Sequence, residues 1–434
     1  MKARSGGSFG WSELAGLGTV AAVLICLIGF GGVSSAGWGP ASILLYALTA
    51  SVAVASLYRK LHISWCPFLV PMAAFFVLAV MQWLHWSSYP GATLTELLQV
   101  SACGCVFLLG LAAFQRPSHV RAIGLFFWAL TGALAVEALW QYSLSPTLIY
   151  GYRDASYGTP MGPFVYHNHY AGFMDLLLPL AWAAALRTDS SPDAAWVGQL
   201  RRSIVPALGV VSVLAAASRG GVVTLGIEAA VALWIYRRSL DRRRVVLLGT
   251  LAVTFAAGMT IAASNSSVVR RFAQLTRHDA SALDRVKVGD SALHMFAERP
   301  WFGFGLNSFA SVYPRFQTFD SGLEWDSAHD EYVQILAEMG LGGGLCVAAF
   351  AILLLVAGLR LRSRPASNAR NVRLAAFIGA IGFLFHSFGD FEFHAMANSL
   401  LFFVLVALVA AEPQAPTRIR RHSRSAVSEG PVRA

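Results

Sequence analysis

Apolar runs long enough to cross a lipid bilayer recur along the chain, and they constrain its fold more than any other feature. A helix needs about 20 apolar residues to cross the hydrocarbon core, and helices satisfy their own backbone polar groups there. The sequence therefore predicts an all-α polytopic membrane protein with about 12 transmembrane helices and one long loop, residues 264–328, that contains short helices. The predicted spans are 12–31, 38–58, 65–84, 93–114, 120–140, 167–186, 203–217, 221–236, 244–263, 338–358, 373–388 and 396–411.

Lysine and arginine are distributed unevenly between alternate loops, and this bias sets the orientation of a membrane protein. With a cytoplasmic N-terminus, the cytoplasmic segments hold 24 of the 33 basic residues. The short outer loops hold only Arg153 and Arg219, and the remaining seven lie in the 264–328 loop. We therefore expect both termini in the cytoplasm and the long loop on the outer side.

The net charge of +10 implies no nucleic-acid partner, because most of the cations belong to the cytoplasmic side. There they attract anionic membrane lipids. Only 13% of the residues are charged, well below the roughly one quarter that is usual in soluble domains. We interpret residues 1–411 as a single integral membrane domain and residues 412–434, rich in Pro, Ser and Arg, as a disordered basic cytoplasmic tail.

Residues 326–345 join the only long polar stretch of the chain to an apolar run. Ionisable side chains at such a boundary usually mark a functional site. His329 is followed by acidic residues, and on a helix it would share a face with Tyr332. The alternative, compatible interpretation is an ordinary helix start with Asp326 or Ser327 as the N-cap.

Further polar residues fall on the same outer side of the predicted topology. Arg153 lies in a loop rich in Gly and Pro, whose Tyr, Arg and Asp side chains suit sugar hydroxyls. His167, Asn168 and His169 open the sixth span. No third metal ligand lies at a convincing offset from these histidines, so a polar pocket lining is the preferred interpretation over a metal site.

An arginine in a tight outer turn is unusual, because cations are otherwise kept out of the short outer loops. Arg219 is followed by two glycines, which let backbone N–H groups approach an anion, and a guanidinium grips phosphate bidentately. This pattern favours an anion site over a plain turn. Asp390 and Glu392 lie in a short outer connection, where polar packing against the long loop is preferred over a metal site.

The outer side of a bacterial-type inner membrane offers neither ATP nor nucleotide sugars. An activated donor present there is a sugar carried on a lipid diphosphate. Its transfer needs cations that stabilise the departing diphosphate and a base that deprotonates the acceptor hydroxyl. Arginines and one histidine meet these needs, and the residues demand no metal or other cofactor.

Several motifs between about residues 150 and 410 together resemble the bacterial O-antigen ligase/polymerase family, although each alone is weak. They are Asn168-His169-Tyr170-Ala171-Gly172, Ser218-Arg219-Gly220, Arg285 in the loop, Arg299-Pro300-Trp301-Phe302-Gly303-Phe304-Gly305, His329-Asp330-Glu331-Tyr332-Val333-Gln334 with Glu338-Met339-Gly340, and Asp390-Phe391 with Ala397-Asn398.

The resemblance implies a multi-pass glycosyltransferase of the bacterial inner membrane, inverting and metal-independent, with an undecaprenyl-diphosphate-linked glycan as donor. It implies that Arg219 and Arg285 hold the diphosphate and that His329 acts as the base. Asp330 is a departure, because the family usually has Asn after the histidine. An added negative charge there would weaken binding of the usual donor.

The leading prediction is an O-antigen ligase that transfers the lipid-linked glycan at the periplasmic face to a lipid-A core, another glycan or a protein acceptor. The alternatives are a polymerase of lipid-linked repeats and, from another class, a flippase for lipid-linked oligosaccharides. A transporter is less favoured, because the polar residues gather at one face and no inverted repeat is evident. The predicted catalytic residues are His329, Arg219 and Arg285, and the predicted substrate-binding residues are Arg153, His167, Asn168, His169, Tyr332 and Asp390.

Overall fold

A computed structural model of the protein describes residues 10–58, 65–156, 158–185, 192–237, 280–320, 322 and 324–412. These ranges contain thirteen α-helices and one short antiparallel hairpin. The helices are α1 (Trp11–Ile28), α2 (Ser35–Leu57), α3 (Leu69–Met81), α4 (Pro90–Ala113), α5 (Pro117–Leu144), α6 (His167–Ala185), α7 (Pro192–Ala216), α8 (Arg219–Tyr236), α9 (Ala280–Glu298), α10 (Phe309–Val312), α11 (Glu331–Arg362), α12 (Asn368–His386) and α13 (Met396–Ala410). The hairpin strands are β1 (Leu148–Ile149) and β2 (Arg153–Asp154).

Seven of the described helices are long and apolar enough to cross a membrane, which agrees with an all-α membrane protein. They are α1, α2, α3 with its π-helical extension to Trp86, α4, α5, α8 and α11. Residues 202–216 of α7 and the whole of α13 form shorter apolar helices. Each predicted span coincides with a helix except 244–263, which lies outside the described residues. The total of twelve spans stays a prediction.

Helix α6 lies at the centre of the bundle. Every residue from His169 to Ala185 is buried, and the helix contacts α5, α7, α8, α12 and α13. Its closest neighbour is α12, where Gly379 lies against the backbone of Leu176. Small residues at helix contacts let backbones approach closely, which favours helix association in lipid. The polar residues at the start of α6 are therefore held on a rigid, fully surrounded helix.

The described part of the long loop folds onto the start of α11 as a small cap with its own apolar core. Helix α9, helix α10 and the 3-10 turn Tyr313–Arg315 are the short helices in this part of the loop. The core side chains come from the cap and from α11; they are Val288, Ala292, Met295, Phe304, Phe309, Val312, Tyr313, Ala328 and Ala337. This core fixes α9 over the residues that precede α11.

Helix α11 is broken at Gly340, where the backbone has φ 62° and ψ −161°. The break is filled by residues 300–305 of the loop. The Leu341 N–H donates to the Pro300 carbonyl (2.7 Å), and the Gly305 N–H donates to the Glu338 carbonyl (2.9 Å). Backbone groups freed by a helix break at membrane depth need partners of this kind. Residues 300–305 of the loop and the break at Gly340 in α11 therefore form one joint, held by these backbone hydrogen bonds.

We expect the substitution Gly340→Ala to destabilise the protein by about 2 kcal/mol or more, because a left-handed backbone is strained for an L-residue. A Cβ at this position would also lie 2.5 Å from the Trp301 carbonyl carbon and 2.6 Å from the Phe302 nitrogen. Thermal unfolding in detergent measures the effect. Gly104→Ala is the matched control, since a Cβ at Gly104 in α4 meets nothing within 4 Å; equal melting temperatures for the two variants would contradict the proposed joint.

Candidate functional site

Residues 386–390, at the end of α12, form a hub at which the polar ends of several helices meet. The Ser387 carbonyl accepts from the Glu331 N–H at the start of α11 (3.0 Å). The Gly389 carbonyl accepts from Nη1 of Arg285 on α9 (3.2 Å). Asp390 accepts from the side-chain amide of Asn168 in the first turn of α6. One short connection thus touches three helices that lie far apart in sequence.

His329 lies immediately before α11, in a left-handed backbone conformation with φ 52°. Its ring meets the rings of Trp325 and Phe391 edge-on, with centroids 5.5 Å and 4.7 Å away. Its Nδ1 lies 3.4 Å from the Asp390 carboxylate. Non-glycine residues in this conformation cluster at functional sites, where the surrounding structure holds them. The His329 imidazole therefore lies within ion-pair distance of a carboxylate.

The prediction that His329 and Tyr332 share a helix face is wrong, because α11 begins at Glu331 and His329 lies outside it. The Tyr332 hydroxyl donates to the Leu384 carbonyl of α12 (2.6 Å), and its ring packs on Phe388. Tyr332 thus fastens α11 to α12 beside the hub. Its predicted role in substrate binding stays a prediction.

Asp330 is the N-cap of α11, rather than Asp326 or Ser327 as the sequence suggested. Its carboxylate accepts from the backbone N–H groups of Tyr332 (2.9 Å) and Val333 (3.1 Å). Burial raises the pKa of Asp330. Asn caps helices about as well as Asp, so the departure from the family pattern preserves the local structure and directs the acidic group toward a helix N-terminus.

Asp390 is the anionic centre of the site. Its residue surface is only 3% exposed. Burial alone would raise its pKa, but the facing His329 and the positive charge of Arg285 hold the pKa of Asp390 well below its usual range. The carboxyl group is therefore ionised at neutral pH. An ionised partner fixes the orientation of the His329 ring and stabilises the ring when it carries a second proton.

Arg219 is the first residue of α8, and the helix begins against the hub. The Ser218 hydroxyl caps the helix by accepting from the Gly221 N–H (3.2 Å). A side chain at Gly220 would overlap the His386 imidazole, so only glycine allows this close approach. A helix N-terminus favours anions. The N-terminus of α8, with Arg219 as its first residue, thus lies beside His386 of the hub.

The three polar residues that open α6 differ in their surroundings. Asn168 donates to Asp390. The ring of the buried His169 meets Phe391 edge-on at 5.0 Å, so His169 and His329 flank the same phenylalanine. His167 occupies the first position of the same helix. The structure therefore brings Asn168 to Asp390 and His169 to the neighbouring Phe391; the predicted roles of His167, Asn168 and His169 in substrate binding stay predictions.

Arg153 is placed apart from this cluster. It lies on β2 of the hairpin, with its guanidinium over the Phe30 ring at 3.9 Å from the ring centroid. The role of Arg153 in substrate binding stays a prediction. The hairpin belongs to the loop that leads into α6.

A second, buried layer of ionisable groups was largely missed by the sequence analysis. Nδ1 of His386 lies 2.8 Å from Asp175, and its Nε2 lies 3.5 Å from Glu392. Glu392 also accepts from the Asn398 amide (2.8 Å). The available signal was the presence of Asp175 and His386 inside apolar runs, which is costly in lipid and therefore informative. Their mutual distance was not readable from the sequence.

These observations define a class of protein: a helical membrane protein with an ion-paired imidazole and two arginines gathered at one end of its bundle. Residues 204–348 match the model of the O-antigen ligase family, and this match supports membership of that family. The matched segment includes Arg219, Arg285 and His329, whereas Asn168 and Asp390 lie outside it. No curated protein matches the chain.

The match, together with the apolar helices, supports a membrane protein of polysaccharide biosynthesis with a glycosyltransferase-like function. The family implies, in general, a lipid-linked glycan and an acceptor as partners. The family resemblance predicted from the sequence is thereby confirmed.

Proposed function

We propose that the protein is an O-antigen ligase that transfers a glycan from undecaprenyl diphosphate to a lipid-A core at the periplasmic face of the inner membrane. The observation that carries the proposal is the short distance, 3.4 Å, between the His329 imidazole and the Asp390 carboxylate at a hub that also binds Arg285. A base, an orienting carboxylate and cations for a leaving diphosphate are what this reaction requires.

In the proposed reaction, His329 is the general base. Its Nδ1 faces Asp390 at 3.4 Å, so Nε2 is the nitrogen that takes the proton of the acceptor hydroxyl. The acceptor oxygen then bonds to the anomeric carbon, and the bond from that carbon to the diphosphate oxygen breaks. A single displacement inverts the anomeric configuration, and each step needs only a proton acceptor and charge stabilisation, without a metal ion. The proton on His329 is stabilised by Asp390.

Arg219 and Arg285 would hold the leaving diphosphate. Both guanidiniums can form paired hydrogen bonds with phosphate oxygens. Arg285 donates to the Gly389 carbonyl through one of its nitrogens, and a guanidinium has five N–H donors. The N-terminus of α8 adds partial positive charge. His167, His169 and Arg153 would contact the glycan, with Arg153 farther from the reacting bond.

The proposed periplasmic location of the hub is supported by the opposite end of the bundle, which carries several arginines. Helices α8 and α11 both begin near the hub, and near their other ends Arg237 and Arg362 approach the ring of Trp234, at 6.0 Å and 4.1 Å. Arg373, near the start of α12, donates to the Phe114 carbonyl at the end of α4 (2.6 Å). Since cytoplasmic ends carry the excess of Arg and Lys, the hub belongs to the outer side.

Glycan analysis of a deletion strain distinguishes the proposed ligase from its alternatives. For a ligase, we expect lipid-A core without long chains, together with complete lipid-linked chains left on the carrier. Core molecules that carry single repeats would instead identify a polymerase. Lipid-linked glycan retained on the cytoplasmic side would identify a transporter and would contradict the proposal.

We expect Arg219→Ala to lower the transfer rate by about 10²–10³-fold, the usual effect of removing one group that stabilises transition-state charge. Arg219→Lys should recover only part of the rate, because the ammonium group cannot form the paired contacts. Purified enzyme, lipid-linked donor and acceptor core provide the assay. The control is Arg315→Ala, since Arg315 is exposed and faces Glu298; wild-type transfer by Arg219→Ala would remove Arg219 from the mechanism.

A further inference from the structure

Gln334 lies one turn inside α11, and its buried side-chain amide is hydrogen-bonded to Ala328, the residue before His329. Its surface is 3% exposed. Oε1 of Gln334 accepts from the backbone N–H of Ala328 at 2.9 Å. A buried backbone N–H of this kind requires a partner, so the bond ties the incoming chain to the helix that follows His329.

The bond matters because the backbone of His329 is strained. A left-handed φ of 52° is unfavourable for a residue with a Cβ, and it persists only where the neighbours hold it. After His329, the cap at Asp330 and the bond from the Glu331 N–H to the Ser387 carbonyl hold the chain. Before His329, the bond from Ala328 to Gln334 does so. The turn is thus held on both sides.

The orientation of the Gln334 amide is set by its surroundings. Because Oε1 accepts from Ala328, Nε2 points to the Glu338 carboxylate (3.4 Å) and to Nε2 of His394 (3.2 Å). Nδ1 of the same ring lies 3.4 Å from the Glu331 carboxylate. The bond that Oε1 accepts from the Ala328 N–H sets the orientation of the amide.

Glu338 anchors this amide to the cap. Its two carboxylate oxygens accept from the backbone N–H groups of Asn307 (2.7 Å) and Phe309 (2.9 Å). The contacts therefore run without interruption from the loop through Glu338 and Gln334 to Ala328. Displacing any residue in this series of hydrogen bonds would therefore shift the turn that carries the His329 imidazole.

We infer that Gln334 is a positioning residue for the proposed base: it holds the turn at 328–330 so that the His329 imidazole stays between Asp390 and the acceptor hydroxyl. The inference rests on the proposed function. Arg219 and Arg285 lie on other helices, α8 and α9, so loss of this amide should slow the chemical step and leave donor binding unchanged.

The test compares three variants of the full-length protein in detergent. Gln334→Leu removes all the amide bonds at similar volume, whereas Gln334→Glu keeps an oxygen that can accept from Ala328. Gln82→Leu is the matched control, because Gln82 is also buried and binds backbone groups, including the Glu338 carbonyl (2.8 Å) and the Leu306 N–H (3.3 Å), without touching the turn. The probes are undecaprenyl-diphosphate-linked glycan and purified lipid-A core.

We expect Gln334→Leu to lower kcat by about 10²-fold, the loss typical of a displacement near 1 Å, while the KM for the lipid-linked donor stays within about twofold. Gln334→Glu should recover part of kcat, because it keeps an acceptor for Ala328 but sets a second carboxylate opposite Glu338. Gln82→Leu should retain the full kcat. The reaction of His329 with diethyl pyrocarbonate, followed by mass spectrometry, should be severalfold faster in Gln334→Leu than in the other proteins, because a relaxed turn exposes the ring.

Two results would overturn the inference. One is an equal loss of kcat in Gln334→Leu and Gln82→Leu, which would indicate general loosening of the loop. The other is unchanged reactivity of His329 in Gln334→Leu. The chemical modification needs no turnover, so a wild-type protein without transfer activity would contradict the proposed function while His329 reactivity still decides whether Gln334 positions the turn.

Discussion

Replacing His329 with alanine is expected to lower the rate of glycan transfer by about 10²–10⁴-fold, the contribution of a positioned general base. The imidazole pairs with the ionised Asp390 and is flanked by Trp325 and Phe391. Without it, the acceptor hydroxyl keeps its proton and attacks the anomeric carbon poorly. Transfer measured with purified donor and acceptor gives the rate, and immunoblotting of membranes gives the protein level, which should not change.

The matched control is His294→Ala. His294 lies on α9 within the same cap, but its side chain is 63% exposed and its carboxylate neighbour is the surface residue Asp290, 3.7 Å away. We expect this variant to transfer glycan at the wild-type rate. Full restoration of long-chain glycans in a deletion strain by His329→Ala would show that another group is the base.

Replacing Asp390 with asparagine is expected to lower the rate by about 10³–10⁴-fold, as found when the carboxylate that orients a catalytic histidine becomes an amide. The change removes the charge that stabilises protonated His329. It also sets an amide opposite the Asn168 amide that now donates to Asp390. Steady-state kinetics should show the loss mainly in kcat. Asp290→Asn, on the exposed face of α9, is the control; a wild-type kcat in Asp390→Asn would rule out the dyad.

The same substitution should change how stability depends on pH. The folded-state pKa of Asp390 lies below its usual range, so the unfolded chain binds the proton more readily. The stability due to the ionised carboxylate is present above the ordinary aspartate pKa of about 4 and is lost as the pH falls below it. Melting temperatures between pH 3 and 7 should therefore fall less steeply toward acid in Asp390→Asn than in the wild type.

Local sequence patterns were sufficient to predict where the helices lie. Each apolar run in the described ranges became a helix, because lipid-compatible length and composition are properties of a contiguous segment. The Gly340 motif was recognisable but its role was not, since the break is explained only by residues 300–305, which fill it. The supposed common face of His329 and Tyr332 failed for a similar reason: the helix begins two residues later than a helical continuation would require.

The identities of the principal polar residues also came from the sequence, whereas their partners did not. Asp390 was predicted to bind substrate, and the structure pairs it with His329 and Asn168. These contacts join residues separated by more than 60 and 220 positions. No periodicity or spacing rule reaches so far. For the same reason the bonds of Gln334 were not predictable. In the sequence Gln334 resembles an ordinary polar residue on a helix surface, and only the structure shows its bonds to Ala328 and Glu338.

The amino-acid sequence alone determined that the chain is a helical membrane protein. It also determined which helix ends and loops are basic, and which residues are unusually polar for an apolar segment. These properties depend on transfer free energies of short segments and need no knowledge of neighbours. Only the tertiary structure decided that the turn before α11 meets the hub after α12, and that a strained histidine is held there by Asp390 and Gln334. Side-chain chemistry depends on distances of a few ångströms, and packing of the whole bundle sets those distances.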